Sequence, residues 1–162
     1  MNIFVLDKNP IHAATVLCDK HIVKMIVESA QMLCNVFPQE LVPYKRTHYN
    51  HPCSKWVRKS RENFFWLFVY SLTLCNEYSI RYNKTHKSRE IIYLCYDLFS
   101  KNKQEIPFIH DKQTPFVQAM PEEYKTEDAV QAYRTYYIKD KSRFAKWKLN
   151  NVPEWYIGGS NE

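Results

Sequence analysis

Glycine is almost absent from this chain: 2 of 162 residues, side by side at Gly158 and Gly159. A phosphate-cradling loop or a dinucleotide fingerprint needs glycines at fixed offsets before a helix, so both are excluded. No Asn-Gly or Asp-Gly pair is present to make a tight hairpin, which favours helices over a β-sandwich. Cys-x-x-Cys pairs are missing too. Cys18, Cys34, Cys53, Cys75 and Cys95 are odd in number and read as buried free thiols of a reducing compartment. The N-terminus is apolar for only five residues before Asp7 and Pro10 break it, too short for a signal peptide or a membrane span. The expected location is the cytoplasm, or a nucleus by diffusion, with no membrane partner.

What is abundant is positive charge and aromatic surface. The formal net charge is +6 and aromatic residues make up 15% of the chain. A basic balance attracts polyanions by raising their local concentration and on-rate, so nucleic acid is the expected partner. Hydrophobic residues at 45% and charged residues at 25% are ordinary for a globular protein. With no linker or repeat in view, the expectation is one domain over residues 1–162.

The pattern along the chain is mostly α: a compact helical bundle with a short N-terminal extended segment and a long irregular loop. Residues 2–7 are apolar and extended, a short strand or a buried arm. Asn9-Pro10 is a helix start, Asn as cap and Pro at the first helical position, and the spacing predicts one helix to about Val36, stopped by Pro38. His51-Pro52 opens a second, predicted to run unbroken to about Tyr82. Its middle, FFWLFVYSLTLC, is apolar all round and reads as a core helix. Ser88 can cap a third helix to about Ser100. Residues 101–125 carry Pro107, Pro115 and Pro121 and read as irregular structure, of a length that is often functional. Thr126 is the expected cap of a last helix to about Lys139, with Glu127 and Asp128 in its first turn. A tail ending PEWYIGG follows.

The first helix holds the candidate chemistry. At 100° per residue, His21, Lys24, Glu28, Gln31 and Asn35 fall on one strip about 80° wide. Cys18, Ile22, Met25, Ile26, Ala30 and Leu33 fill the opposite arc. Such a strip either faces water or lines a pocket. In the second case the three- and four-residue spacings stack the charges so that they couple. A carboxylate beside a lysine and a histidine can serve as a general base or stabilise cationic charge. Asp19, on the apolar side, needs a partner such as a backbone amide or an arginine. Lys24 could act as an amine nucleophile if burial lowers its pKa.

Two segments suit nucleic acid. Lys55, Trp56, Arg58, Lys59 and Arg61 open the long helix, whose face with Trp56, Asn63 and Tyr70 also carries Arg81; this is a candidate phosphate-contacting ridge. The stretch from Tyr133 to Lys148 interleaves aromatics with cations, and Arg134, Tyr137, Arg143, Trp147 and Lys148 are its candidate contacts. His48, Asn50, His51 and Cys53 form a polar cluster that could wall a pocket or cap a turn. His48-x-x-His51-x-Cys53 fits no standard zinc spacing, and neither metal nor cofactor is expected.

Asp19-Lys20-His21 followed by Glu28 resembles the active-site helix of phage-type pyrimidine-dimer DNA glycosylases with AP-lyase activity, over about 20 of the 162 residues. The blocks CDKHIVKM, NHPCSKWVR, AMPEEYK and AYRTYYI also resemble a group of phage and giant-virus proteins without a secure activity. The glycosylase resemblance implies a helical fold without metal or cofactor. Its nucleophile is an N-terminal α-amine that attacks the sugar C1′ to form a Schiff base. Its glutamate, matched by Glu28, stabilises the cationic sugar and assists β-elimination; its histidine is matched by His21. An α-amine ordinarily titrates at about 7.7–8.0, leaving a useful unprotonated fraction at neutral pH. The family's small second residue, which lets the initiator methionine be removed, is Asn2 here, so the candidate amine is that of Met1, Asn2 or Lys24. Its arginines one before and three after the glutamate are Val27 and Gln31. Read from the first helix and the polar cluster rather than from the resemblance, the candidate pocket residues are Asp19, Gln31, His48, Asn50 and His51. The expected function is N-glycosylase/AP-lyase action on damaged or modified bases in DNA. The alternatives are a non-catalytic nucleic-acid-binding or host-interaction protein and a small-nucleotide hydrolase.

Overall fold

The computed structural model describes residues 1–101, 106 and 108–157; Pro107 of the expected loop and the Gly158-Gly159 pair lie outside the described residues. Among the described residues there are six α-helices and no strands: α1 (Pro10–Thr15), α2 (Asp19–Cys34), α3 (Pro52–Lys59), α4 (Arg61–Tyr82), α5 (Ser88–Lys101) and α6 (Ala129–Tyr136). α4 is the axis and packs against α1, α2, α3 and α5. Phe64, Leu67, Tyr70, Leu74 and Cys75 along it are fully buried, at about 1.5–3 kcal/mol for each large apolar side chain. No helix among the described residues is long and apolar enough to cross a membrane. The five cysteines are buried free thiols.

The caps follow from local chemistry, with one shift. The Asn9 side chain accepts from the Ile11 and His12 amides, and Pro10 stands first in α1. A ring nitrogen of His51 accepts from the Cys53 amide at the start of α3. For α6 the cap is Asp128, not Thr126: its carboxylate takes the Val130 and Gln131 amides. The Thr126 hydroxyl accepts the Asp128 amide instead. α6 ends at Tyr136 and widens into a π turn over Tyr137–Lys141.

Both long helices of the sequence reading are broken, and in each case other parts of the fold take the freed backbone groups. The first breaks between Thr15 and Asp19. The carbonyls of Thr15 and Leu17 accept from the Arg81 guanidinium at 2.9 and 2.8 Å, and that of Val16 accepts from the Trp147 indole at 2.9 Å. The Cys18 amide donates to the Tyr137 hydroxyl at 3.1 Å, and the Asp19 amide to the Lys146 carbonyl at 2.8 Å. The second breaks at Ser60, whose backbone is extended and whose hydroxyl caps α4 at the Asn63 amide. His110 pairs with Ser60 in an isolated bridge, and the Arg61 and Glu62 amides donate to the His110 and Asp111 carbonyls. Part of the expected irregular loop is thus docked in this gap.

The N-terminal arm is buried at Ile3, Phe4, Val5 and Leu6 with no strand beside it. Side chains of α4 and α6 hold it at every second residue, the period of extended chain. Tyr133 lies 2.9 Å from the Asn2 side-chain oxygen. Tyr70 donates to the Phe4 carbonyl at 3.3 Å, Arg134 to that of Leu6 at 2.9 Å, and Trp66 to that of Lys8 at 2.9 Å.

The Arg81 guanidinium also pairs with Asp19 at 3.0 Å and Glu77 at 3.5 Å and is fully buried. Arg81→Met should therefore strand two carboxylates and two carbonyls and cost about 3–5 kcal/mol. Urea denaturation of the variant against wild type measures this; a loss below 1 kcal/mol would show the break does not depend on Arg81.

Candidate active site

The break before Asp19 sets the rotation of α2, and with it the direction of Glu28. The Glu28 side chain is 15% exposed, and its Oε2 lies 3.6 Å from the Met1 α-amine. The same oxygen accepts from the Asn2 amide at 3.1 Å. The Met1 side chain is buried, at 2% exposure, so the chain end is anchored by packing as well as by charge. Lys24, one turn earlier, brings Nζ to 4.0 Å from Oε1 but is 62% exposed. The desolvation on which a nucleophilic role for Lys24 depends is absent.

His51 is the member of the polar cluster nearest in its effects. Burial and the N-terminal ammonium push its pKa down, with Glu28 opposing. Burial raises the Cys53 thiol to about 11, so it stays protonated beside the Asn2 side-chain oxygen, 3.8 Å away. His48 and Asn50 are exposed, and His48 takes a left-handed backbone with φ 48°. Gln31 is half-buried one turn beyond Glu28.

The strip on α2 does not act as one seam. His21 is 4% exposed, stacked on Phe4 at 4.3 Å, with Nδ1 2.7 Å from the Tyr137 hydroxyl. Burial, aided by Lys141, Lys24 and Lys20, lowers its pKa to about 3. It is a neutral ring in an aromatic setting, engaged with different partners from Glu28. Asn35, also buried, ties α2 to Thr47 and Ser54. Asp19 has the arginine partner expected of it, Arg81.

Several expected nucleic-acid contacts are interior. Trp56, Tyr137 and Trp147 are buried, because each polar tip finds a partner inside: the Thr114 carbonyl, the Cys18 amide and the Val16 carbonyl. Arg81 is 3% exposed and its donors serve the helix break, not phosphate. Arg134 turns inward to Leu6 and Asp7. Arg61 leans on Asp111 and faces the Phe99 and Phe108 rings. Lys55, Arg143 and Lys148 are exposed and Arg58 is half-exposed. A groove of about 510 Å³ is lined by Lys55, Arg58 and Lys59 together with Val36, Tyr49, Ile106 and Ile109. Arg46 and Arg58 both lie over the Tyr49 ring, at 4.4 and 3.6 Å. This groove lies along α3, which His51 caps; neither Glu28 nor Met1 lines it.

An amine held against a helix-borne carboxylate, inside an all-helical protein with exposed cations, supplies the parts that imine-forming chemistry on a polyanion requires. The sequence model of the family described as pyrimidine dimer DNA glycosylase matches residues 1–90. That is more than half of the 162 residues, and the chain belongs to this family, whose activity is that of a glycosylase/AP lyase on damaged DNA. No curated protein and no solved structure matches the chain.

The state of His21 predicts a pH dependence of stability. Its native pKa of about 3 lies below the ordinary 6.5, so between these values the unfolded chain binds the extra proton. Stability from this ring is present above pH 6.5 and is lost as pH falls toward 3. Between pH 7 and pH 5 the loss is about 2 kcal/mol. His21→Gln, which keeps a partner for Tyr137 but does not titrate, should flatten the urea-measured profile by that amount. An unchanged slope would mean that the ring is accessible to protons in the folded protein.

Proposed function

We propose that the chain acts on damaged or modified bases in DNA by amine-mediated glycosylase/AP-lyase chemistry, with the N-terminal α-amine as nucleophile and Glu28 as its partner. One observation carries the reading: two successive backbone nitrogens, of Met1 and Asn2, lie 3.6 and 3.1 Å from the same Glu28 oxygen. If Met1 is removed, the Asn2 nitrogen becomes the amine and already faces the carboxylate. Glu28 takes a proton from the ammonium, and the free amine attacks C1′. The N–C1′ bond forms as the C1′–base bond breaks, the base leaving with a proton. Ring opening, with O4′ taking up a proton, gives the protonated imine, whose charge Glu28 stabilises. Loss of a C2′ proton then expels the 3′ phosphate, and water releases the amine. Each carboxylate-assisted proton transfer contributes roughly 10²–10⁴-fold.

His21 has no proton-transfer role in this reading; it holds Tyr137 and Phe4 behind the arm. Val27 and Gln31 offer no charge next to Glu28, so contact with phosphate falls to Lys20 and Lys24 on α2, to Lys55, Arg58 and Lys59 around the groove, and to Arg143 and Lys148. On this proposal the described residues form one folding unit, because Tyr137, Lys146 and Trp147 complete the α1–α2 break.

Borohydride trapping on abasic DNA tests the chemistry. The wild type should yield a covalent adduct that maps to the N-terminal peptide, and the intact mass identifies whether Met1 or Asn2 carries it. Glu28→Gln should lower the rate of adduct formation by about 10² or more with DNA affinity changed only a few-fold. No adduct with wild type ends the lyase reading, and an adduct on Lys24 ends the N-terminal assignment.

The groove generates a separate expectation. Lys55→Ala and Lys59→Ala should each reduce the slope of log affinity against log salt by about 1 if their ammonium groups meet phosphate. Slopes equal to wild type would place DNA elsewhere on the surface.

A further inference from the structure

We propose that Tyr133 is a positioning residue for the N-terminal amine, acting through the side chain of Asn2; this rests on the amine-mediated reading above. Asn2 is the first residue after the amine, and its own amide bonds Glu28. Its carboxamide is fixed at both ends. Nδ2 donates to the Ala119 carbonyl at 2.8 Å, and Oδ1 accepts from the Ile3 amide at 2.8 Å. The Tyr133 hydroxyl lies 2.9 Å from that same Oδ1 and accepts the Ala119 amide at 3.1 Å. Asn2, Ala119 and Tyr133 therefore close a ring of three hydrogen bonds around the second residue of the chain. The single hydroxyl proton is shared between Oδ1 and the Val117 carbonyl, which also lies 2.9 Å away.

The physical setting makes the ring stiff. Tyr133 is fully buried, and burial keeps its phenol protonated, well above the usual range, so it remains a donor at any working pH. An Asn side chain at this position could otherwise swing with the chain end, and terminal residues are ordered only when tied down. Misplacing a reacting atom by about 1 Å can cost 10²-fold in rate. Ala119 and Tyr133 lie beyond residues 1–90, the stretch shared with the family model. Asn2 lies inside the matched stretch, and its two partners in the ring come from the part of the chain that the match does not cover.

Removing the hydroxyl alone tests the idea. Tyr133→Phe keeps the buried ring and should slow single-turnover imine trapping on abasic DNA by 10-fold or more, with the Kd for that DNA unchanged. Asn2→Leu breaks the same ring from the other side and keeps a large second residue; it should show a similar loss. The double variant should be no slower than either single one, since both remove one device. A general loss of stability would instead give additive effects, and that outcome overturns the proposal. So does trapping of Tyr133→Phe at the wild-type rate, or, should that variant not fold, of Asn2→Leu at the wild-type rate. Failure of the wild type itself to trap would overturn the amine-mediated reading, so the two failures are distinguishable.

Discussion

The structure depends on burying an extended segment that has no sheet to join. A buried backbone group without a partner costs about 1–3 kcal/mol, and a lone apolar arm brings several. Here Tyr133, Tyr70, Arg134 and Trp66 reach in from α6 and α4 to meet residues 2, 4, 6 and 8. The arm is held by side chains where a sheet would use a neighbouring strand. Its free end lies against Glu28 because the rest of it cannot slide. The position of the amine is thus a property of the bundle and not of the first few residues.

This explains what could and could not be read from the residues. The helical class, the buried arm, the caps at Asn9 and His51 and the free thiols were legible because each follows from local pattern. Glu28 was legible from its place on the α2 strip and from the resemblance around it. The breaks at residues 16–18 and at Ser60 were not, since neither carries a glycine or proline. They exist because Arg81, Trp147, Tyr137 and the 110–111 backbone offer better partners than the next helical turn would. Interleaved aromatics and cations from Tyr133 to Lys148 suggested a nucleic-acid surface. Spacing alone could not tell that Tyr133, Tyr137 and Trp147 had polar tips committed to the interior while Arg143 and Lys148 stayed outside. Nor could it show that Asn2 and Tyr133, 131 residues apart in sequence, would meet.

The α2 strip illustrates how environment divides chemically similar positions. His21 and Glu28 are two turns apart on one face, about 10 Å along the axis. The first turns of α2 are covered by Phe4, Tyr137 and Phe144, and a ring in that setting, with three lysines near, gives up its charge. The middle of the helix meets the chain end, where an ammonium, an amide and a lysine converge on one carboxylate. Charge therefore collects around Glu28, and a neutral histidine a short distance away serves packing.

The family match covers residues 1–90, and two of the three members of the clamp, Ala119 and Tyr133, lie beyond it. Residues 1–90 contain the amine, Glu28, and the helices α1–α4 that orient them. The remainder contributes Ala119 and Tyr133, which contact Asn2 and on the proposal above fix the least constrained part of the site. An amine at a chain terminus has only one covalent tether, so its placement is the weakest link of any mechanism that uses it. Val27 and Gln31 provide no guanidinium to order the neighbourhood by charge, and the contacts that hold the second residue are hydrogen bonds. In the proposed clamp a buried tyrosine and an asparagine do this without adding charge beside the carboxylate, which on the proposed mechanism answers the amine and the cation that forms from it.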